Sequence, residues 1–234
     1  MSLHSAKVMQ DQGVQILIAV RVFAYDLLRR IFLEEPSKEF LEALVAGRGI
    51  EAFPLVEEHA GLREGQRLVL TYLQQHDIRQ QQIYDRLHWD YTKLFIGPYE
   101  LPAPPWESAY LNEERLLFQQ ETLDVRQAYL KYKLIPREFL QEADDHLGLE
   151  LDFMYRLCLL SKESWGKQQS DSLLTIFNDQ KGFLQDHLLK WIPALTQDID
   201  NNAETAFYKG MARILKAYIE LDIEIVEELL LKIK

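Results

Sequence analysis

Four of the chain's eight prolines, Pro98, Pro102, Pro104 and Pro105, fall in one short segment, and no helix can run through it. Each proline lacks a backbone N–H and pushes its predecessor out of the helical region. Before the segment, Leu87, Tyr91, Leu94 and Phe95 repeat at helical spacing, so a helix across Arg79–Ile96 ends at Gly97-Pro98. Trp106-Glu107-Ser108 closes the segment, and the next helix begins near Ser108. A spacer of low complexity would be rich in Gly, Ser and Asp; this one is stiff, aromatic and bracketed by helices. Two readings follow. Either Phe95 and Trp106 are core at a helix crossing, or the stretch Tyr91–Tyr110 is a preformed apolar groove wall.

The remainder reads as helix. Ile16, Ala19, Val20, Phe23, Leu27, Leu28 and Ile31 recur at three and four over Val14–Leu33. Pro36 punctuates that run, and Ser37 is placed to cap Lys38–Val45, which Gly47 and Gly49 end. Short or moderate helices are expected over Ile50–Glu58, ending near Gly61, and over Gln66–His76. Later come Ser108–Tyr132, Arg137–Lys162 starting at Pro136, Ser170–Leu188, Trp191–Thr196 after a break at Lys190, Ala203–Tyr218 and Asp222–Ile233. Met1–Gln12 lacks clear periodicity. Gly148, inside the longest pattern, suits close helix packing or a bend. With ten glycines in 234 residues and no alternating Val/Ile/Thr runs, strands are not needed. The expected fold is all-α, a single globular helical bundle. A hinge at Lys133–Pro136 is expected between an N-terminal half, 1–133, which holds the proline loop, and a C-terminal half, 134–234.

A formal charge of −11 argues against a nucleic-acid partner or an anionic membrane surface, both of which need clustered Lys and Arg. No apolar run reaches membrane-spanning length and no signal peptide is visible. Arg29-Arg30 follows an apolar run instead of preceding one, and so reads as a solvated helix end. Cys158, the single cysteine, excludes an internal disulfide and suits a small buried thiol in a reducing compartment.

A second constellation is Glu142, Asp144, Asp145, His146 and Glu150. On a continuous helix, Glu142, His146 and Glu150 share one face and set a carboxylate on each side of an imidazole. That pattern admits a helical metal-dependent hydrolase or oxidase, although a di-iron bundle needs two Glu-x-x-His pairs and only Glu-x-x-x-His occurs. Neither a Gly-x-Ser-x-Gly elbow nor a phosphate-cradling glycine loop is present. The alternative is a solvated helix face with His146 held by an acidic neighbour.

The run Tyr91-x-x-Leu94-Phe95-x-Gly97-Pro98, followed by Leu101-Pro102-x-Pro104-Pro105-Trp106-Glu107-Ser108-x-Tyr110, resembles the signature of the TorD/DmsD family. That family comprises cytoplasmic chaperones for the maturation of molybdenum-containing redox enzymes. It carries a Glu-Pro-x-Asp-His motif in a hinge; Glu142, Asp145 and His146 match, with Ala143 in place of the proline. Phe183-Leu184-x-x-His187-Leu188-x-x-Trp191-x-Pro193 resembles a shorter family pattern, which bears on the fold more than on a site.

The resemblance implies a non-enzymatic cytoplasmic chaperone. Its partners would be a molybdoenzyme catalytic subunit and that subunit's twin-arginine signal peptide, and it would assist cofactor insertion before export. It implies client contact through Tyr91, Leu94, Phe95, Gly97, Pro98, Pro105, Trp106, Ser108, Tyr110, Glu142, Asp145 and His146. Asp144 and Asp145 would set orientation and association rate. It implies no catalytic residue, no metal and no cofactor beyond weak guanine-nucleotide binding, and it allows a monomer or a homodimer.

Overall fold

The computed structural model describes residues 3–98, 100–112, 120–134 and 142–233, with side chains from residue 12 onward. Pro136 and the start expected at Arg137 lie outside those residues, as does half of the expected hinge, 135–136. The described chain is all-α. Its helices are α1 (Leu3–Phe32), α2 (Lys38–Ala46), α3 (Ala60–Gln75), α4 (Gln81–Tyr91), α5 (Ser108–Leu111) and α6 (Gln120–Lys131), then α7 (Leu147–Gly166), α8 (Ser170–Phe183), α9 (Leu189–Asn202) and α10 (Ala206–Lys232). The only pairing of extended backbone among the described residues is one antiparallel bridge between Trp106 and His146.

Local chemistry accounts for many of the boundaries. The Ser37 hydroxyl accepts from the Phe40 N–H at 3.2 Å and starts α2, and the Gly47 N–H closes it on the Ala43 carbonyl. Gly61 does not end a helix as expected. His59 caps α3 through Nδ1, which accepts from the Gly61 N–H at 3.0 Å, so Gly61 lies in the first turn. Two further expectations are corrected. No break occurs at Lys190: α8 runs through a π-turn at Leu184–Leu188 into α9, with Pro193 inside. The last two expected helices are one, α10, and α1 begins at Leu3 instead of Val14.

The main packings set α1 on α7 and α10 on α3, with α9 and α8 also against α10. Residues from before and after position 134 therefore share one buried cluster, from Val14 and Tyr25 to Trp191 and Tyr218. Cys158 is buried there and its thiol is pushed up to about 12 by burial, which makes it a packing residue. Gly148 serves close packing: a Cβ there would fall 2.1 Å from the Leu33 Cα. No helix among the described residues is long and apolar enough to cross a membrane.

Candidate functional site

The proline segment is folded back and bolted to the second constellation. After α4 the backbone widens into a π-turn at Thr92–Ile96, closed by the Gly97 N–H on the Thr92 carbonyl at 2.8 Å. The Ala103 N–H then reaches the Leu94 carbonyl at 3.4 Å. Further on, the Leu147 N–H donates to the Pro105 carbonyl at 2.8 Å and the Glu107 N–H donates to the Asp145 carbonyl at 3.0 Å. These bonds flank the Trp106–His146 bridge, so the two motif segments pair backbone to backbone.

Asp145 is the centre of this junction. Its side chain accepts from the Ser108 N–H and from the Thr122 hydroxyl, both at 2.8 Å, and is 0% exposed. It thus ties the start of α5 to α6. Next to it, the Arg126 Nε donates to the Asp144 carboxylate at 2.5 Å and the Tyr129 hydroxyl to the Asp144 carbonyl at 2.9 Å. Both aspartates are buried, with both carboxylate oxygens of Asp145 and Oδ2 of Asp144 engaged.

Residues 142–146 are not helical, which overturns the expected shared face of Glu142, His146 and Glu150. His146 Nδ1 accepts from the Gly148 N–H at 3.1 Å, making His146 the cap of α7 and not a residue within it. Burial lowers the His146 pKa against the opposing pull of Glu142 and Asp145, so the ring is neutral and its proton lies on Nε2. Glu142 accepts from the Trp106 indole N–H at 2.7 Å, while Glu150 accepts from the Trp191 indole N–H at 3.2 Å. The three side chains have three separate engagements, and no group of three metal-ligating side chains occurs among the described residues. The metal-dependent hydrolase or oxidase reading loses its geometric basis.

The anticipated groove wall is also corrected. Tyr91, Leu94 and Phe95 are core, at 3%, 0% and 6% exposure. Phe95 packs edge-on against Phe32 and Tyr91, and Tyr91 packs against Tyr208. Pro105 and Ser108 are buried as well, and Gly97 is half-buried. At the surface the motif presents exposed Pro98 and half-buried Trp106, Tyr110 and Glu142. The Trp106 ring meets His146 edge-on at 5.9 Å, and Tyr110 lies over Trp191 with its hydroxyl donating to Asp198 at 3.2 Å.

Two contacts escaped the sequence reading. Glu107, inside the proline motif and 1% exposed, faces His187 Nδ1 at 2.9 Å. His187 sits on the second π-turn, whose extra residue turns it toward the motif. The repeated Asp-His dipeptide was the available signal. Glu35 bonds His88 Nδ1 at 2.6 Å, although neither residue stands in a recognisable motif.

This junction lies within the part of the chain that known proteins share. Residues 56–197 match the family model described as nitrate reductase delta subunit, which is more than half of the chain. A protein of Aliivibrio salmonicida named chaperone protein TorD is 25% identical over 204 residues, covering 87% of this chain and 93% of the relative. A Vibrio cholerae protein of the same name is 26% identical over 221 residues, covering 94% and 97%. A third, from Photobacterium profundum, is 29% identical over 133 residues, covering 57% and 60%. The chain belongs to the TorD family, matched as the nitrate reductase delta subunit, and its role is that of a redox-enzyme maturation chaperone and not an enzyme.

Proposed function

We propose that this chain is a cytoplasmic chaperone for a molybdenum-containing oxidoreductase. It binds the enzyme's twin-arginine signal peptide, its cofactor-free form, or both, and assists cofactor insertion before export. The observation that supports this reading most directly is the pairing of the Pro105–Ser108 backbone with Asp145–Leu147. That pairing sets Trp106 and Glu142 side by side at the surface, one apolar and one anionic. A peptide with basic residues ahead of an apolar stretch matches both.

In this reading Gly97, Pro98, Trp106, Tyr110 and Glu142 contact the client. Tyr91, Leu94, Phe95, Pro105, Ser108, Asp145 and His146 position them from beneath. Burying one large apolar side chain contributes roughly 1.5–3 kcal/mol, and several such contacts outweigh the roughly 2–5 kcal/mol needed to order a peptide.

Co-expression with a candidate molybdoenzyme catalytic subunit carrying its signal peptide tests the proposal. Wild type should retain the subunit through purification, and Trp106→Ala should lose it while its thermal melt stays cooperative. Equal retention of a signal-peptide-deleted and an intact subunit would reject peptide recognition. Equal retention by Trp106→Ala and wild type would reject this surface.

A further inference from the structure

A cavity of about 580 Å³ opens between α3, α4 and the start of α10, on residues outside both sequence motifs. Tyr72 and His76 at the end of α3, Arg86 and Trp89 on α4, and Thr205 at the start of α10 line it. Its volume suits a small-molecule site, which combines aromatic walls with a few placed polar groups. We propose that this cavity binds a small flat molecule carrying a single carboxylate. Arg86 and the Tyr72 hydroxyl hold the carboxylate, and Trp89 covers the ring. None of these residues is among those assigned to the client, so the site stands or falls independently of that reading.

Tyr72 is 6% exposed, and its hydroxyl is buried without a hydrogen-bond partner among the described residues. A buried hydroxyl left unbonded costs stability, and phenylalanine would fill nearly the same volume without that cost. The ring is nevertheless firmly placed. It stacks on His76 with centroids 4.4 Å apart, and His76 Nδ1 donates to the Tyr72 carbonyl at 2.9 Å. Arg86 and Asp90 are the charges that the hydroxyl feels. Asp90 is already committed: one carboxylate oxygen accepts from the Glu204 N–H at 2.9 Å, the other from the Thr205 N–H and hydroxyl at 2.7 and 2.6 Å. Burial holds the Tyr72 hydroxyl above its ordinary pKa, against the pull of Arg86, so it remains a donor in want of an acceptor.

Arg86 is exposed and forms no hydrogen bond or ion pair among the described residues. Its planar fork and the phenolic O–H are two kinds of donor on one cavity, and both suit a carboxylate. Trp89 is 64% exposed and meets the His88 ring in a T-shaped contact at 4.6 Å, which leaves indole surface open to stacking. The rim limits the charge that fits. Asp90 already neutralises the first turn of α10, and Glu204, paired with Lys93 at 2.8 Å, also lines the cavity. Further negative charges on a ligand would face these acids, so one carboxylate suits the cavity and a polyphosphate does not.

Calorimetric titration of the full chain with three probes tests the site. Naphthoate has both the flat ring and the charge, naphthamide lacks the charge, and cyclohexanecarboxylate lacks the flat ring. Naphthoate should bind at one saturable site, about tenfold more tightly than either analogue. Arg86→Gln should weaken naphthoate to about the level of naphthamide and leave naphthamide unchanged. Trp89→Ala should weaken both. Both side chains are exposed, so neither variant should shift the melt. Tyr72→Phe should weaken naphthoate while its melting temperature holds or rises, a combination that a hydroxyl serving the fold would not give. Absence of saturable naphthoate binding, equal affinity for naphthoate and naphthamide, or full naphthoate affinity in Arg86→Gln and Tyr72→Phe would each overturn the site. A Tyr72→Phe variant that melts below wild type would overturn the role given to the hydroxyl.

Discussion

Glu150 enters one turn into α7 and takes its carboxyl into a place where it cannot ionise freely. It is fully buried; one oxygen accepts from Trp191, and the other lies toward the Glu107 carboxylate. Burial, then Glu107, then Asp145 raise its pKa well above the carboxylate range, so the folded protein keeps a proton there for Glu107 to accept. The unfolded chain releases that proton at the ordinary glutamate pKa of about 4.3. Between that pH and the raised folded value the native state holds more protons than the unfolded state, so stability falls as pH rises. His146 acts in the opposite sense: its lowered folded pKa contributes stability above about pH 6.5 that is lost on acidification. Glu150→Gln places a permanent donor against Glu107. Its melting temperature should match wild type near about pH 5 and exceed it by a few degrees near about pH 8.5. Parallel pH profiles for the two proteins would remove the protonated Glu150. Nothing in the sequence around Glu150 distinguishes it from a surface acid, since its partners come from residues 107 and 191.

At the scale of elements, what could be read in advance was local and what could not was imposed from elsewhere. Ser37 before α2 and Gly97 after α4 act through neighbours within a few residues, and both are where the spacing puts them. The π-turns at Thr92–Ile96 and Leu184–Leu188 each insert a residue and so shift the apolar period, which mimics a helix end such as that expected at Lys190. The start of α7 moved to Leu147 because Asp145 serves Ser108 and Thr122, an arrangement that helical backbone would not allow. The expected helix from Ser108 likewise stops early: Asn112 is extended and α6 begins again at Gln120, with 113–119 outside the described residues. Gly148 was singled out for its type, but only the contact with Leu33 decides between packing and bending. An added methyl has no room between α7 and the end of α1, and overpacking of this kind costs about 1–3 kcal/mol or more. Gly182, near the end of α8, has nothing within 4 Å of the same position. Gly148→Ala should therefore lower the melting temperature by roughly 2–4 °C per kcal/mol, whereas Gly182→Ala should raise it by up to about 1 kcal/mol equivalent. If both substitutions raise the melt, the tight crossing of α1 and α7 is wrong.

For the molecule as a whole, the tie between the two ends of the chain is ionic and lies in the core. Arg21 on α1 forms a two-pronged bond to Asp222 on α10, at 2.6 and 2.9 Å, across 201 residues. The remaining polar atoms are matched as well. Arg21 Nη1 donates to Gln180 at 2.5 Å, and the Tyr25 hydroxyl donates to Asp222 at 2.6 Å. All four side chains are buried. Desolvating two charges largely offsets their attraction, so the pair adds little net stability over apolar residues of the same shape. What it does fix is register, because a guanidinium fork finds its carboxylate in one relative placement of α1, α8 and α10. The motif face depends on that placement, since α1 also carries Phe32, its last residue, against Phe95. Arg21→Met alone leaves Asp222 buried without its counter-charge and should cost about 3–5 kcal/mol, read by denaturant unfolding. The double variant, Arg21→Met with Asp222→Leu, should recover most of that loss. It should nevertheless retain the co-expressed client subunit less well than wild type if register is what the pair supplies. A double variant as unstable as the single one would instead make the ion pair a net source of stability. Full client retention by a stable double variant would show that packing alone sets the register of the site.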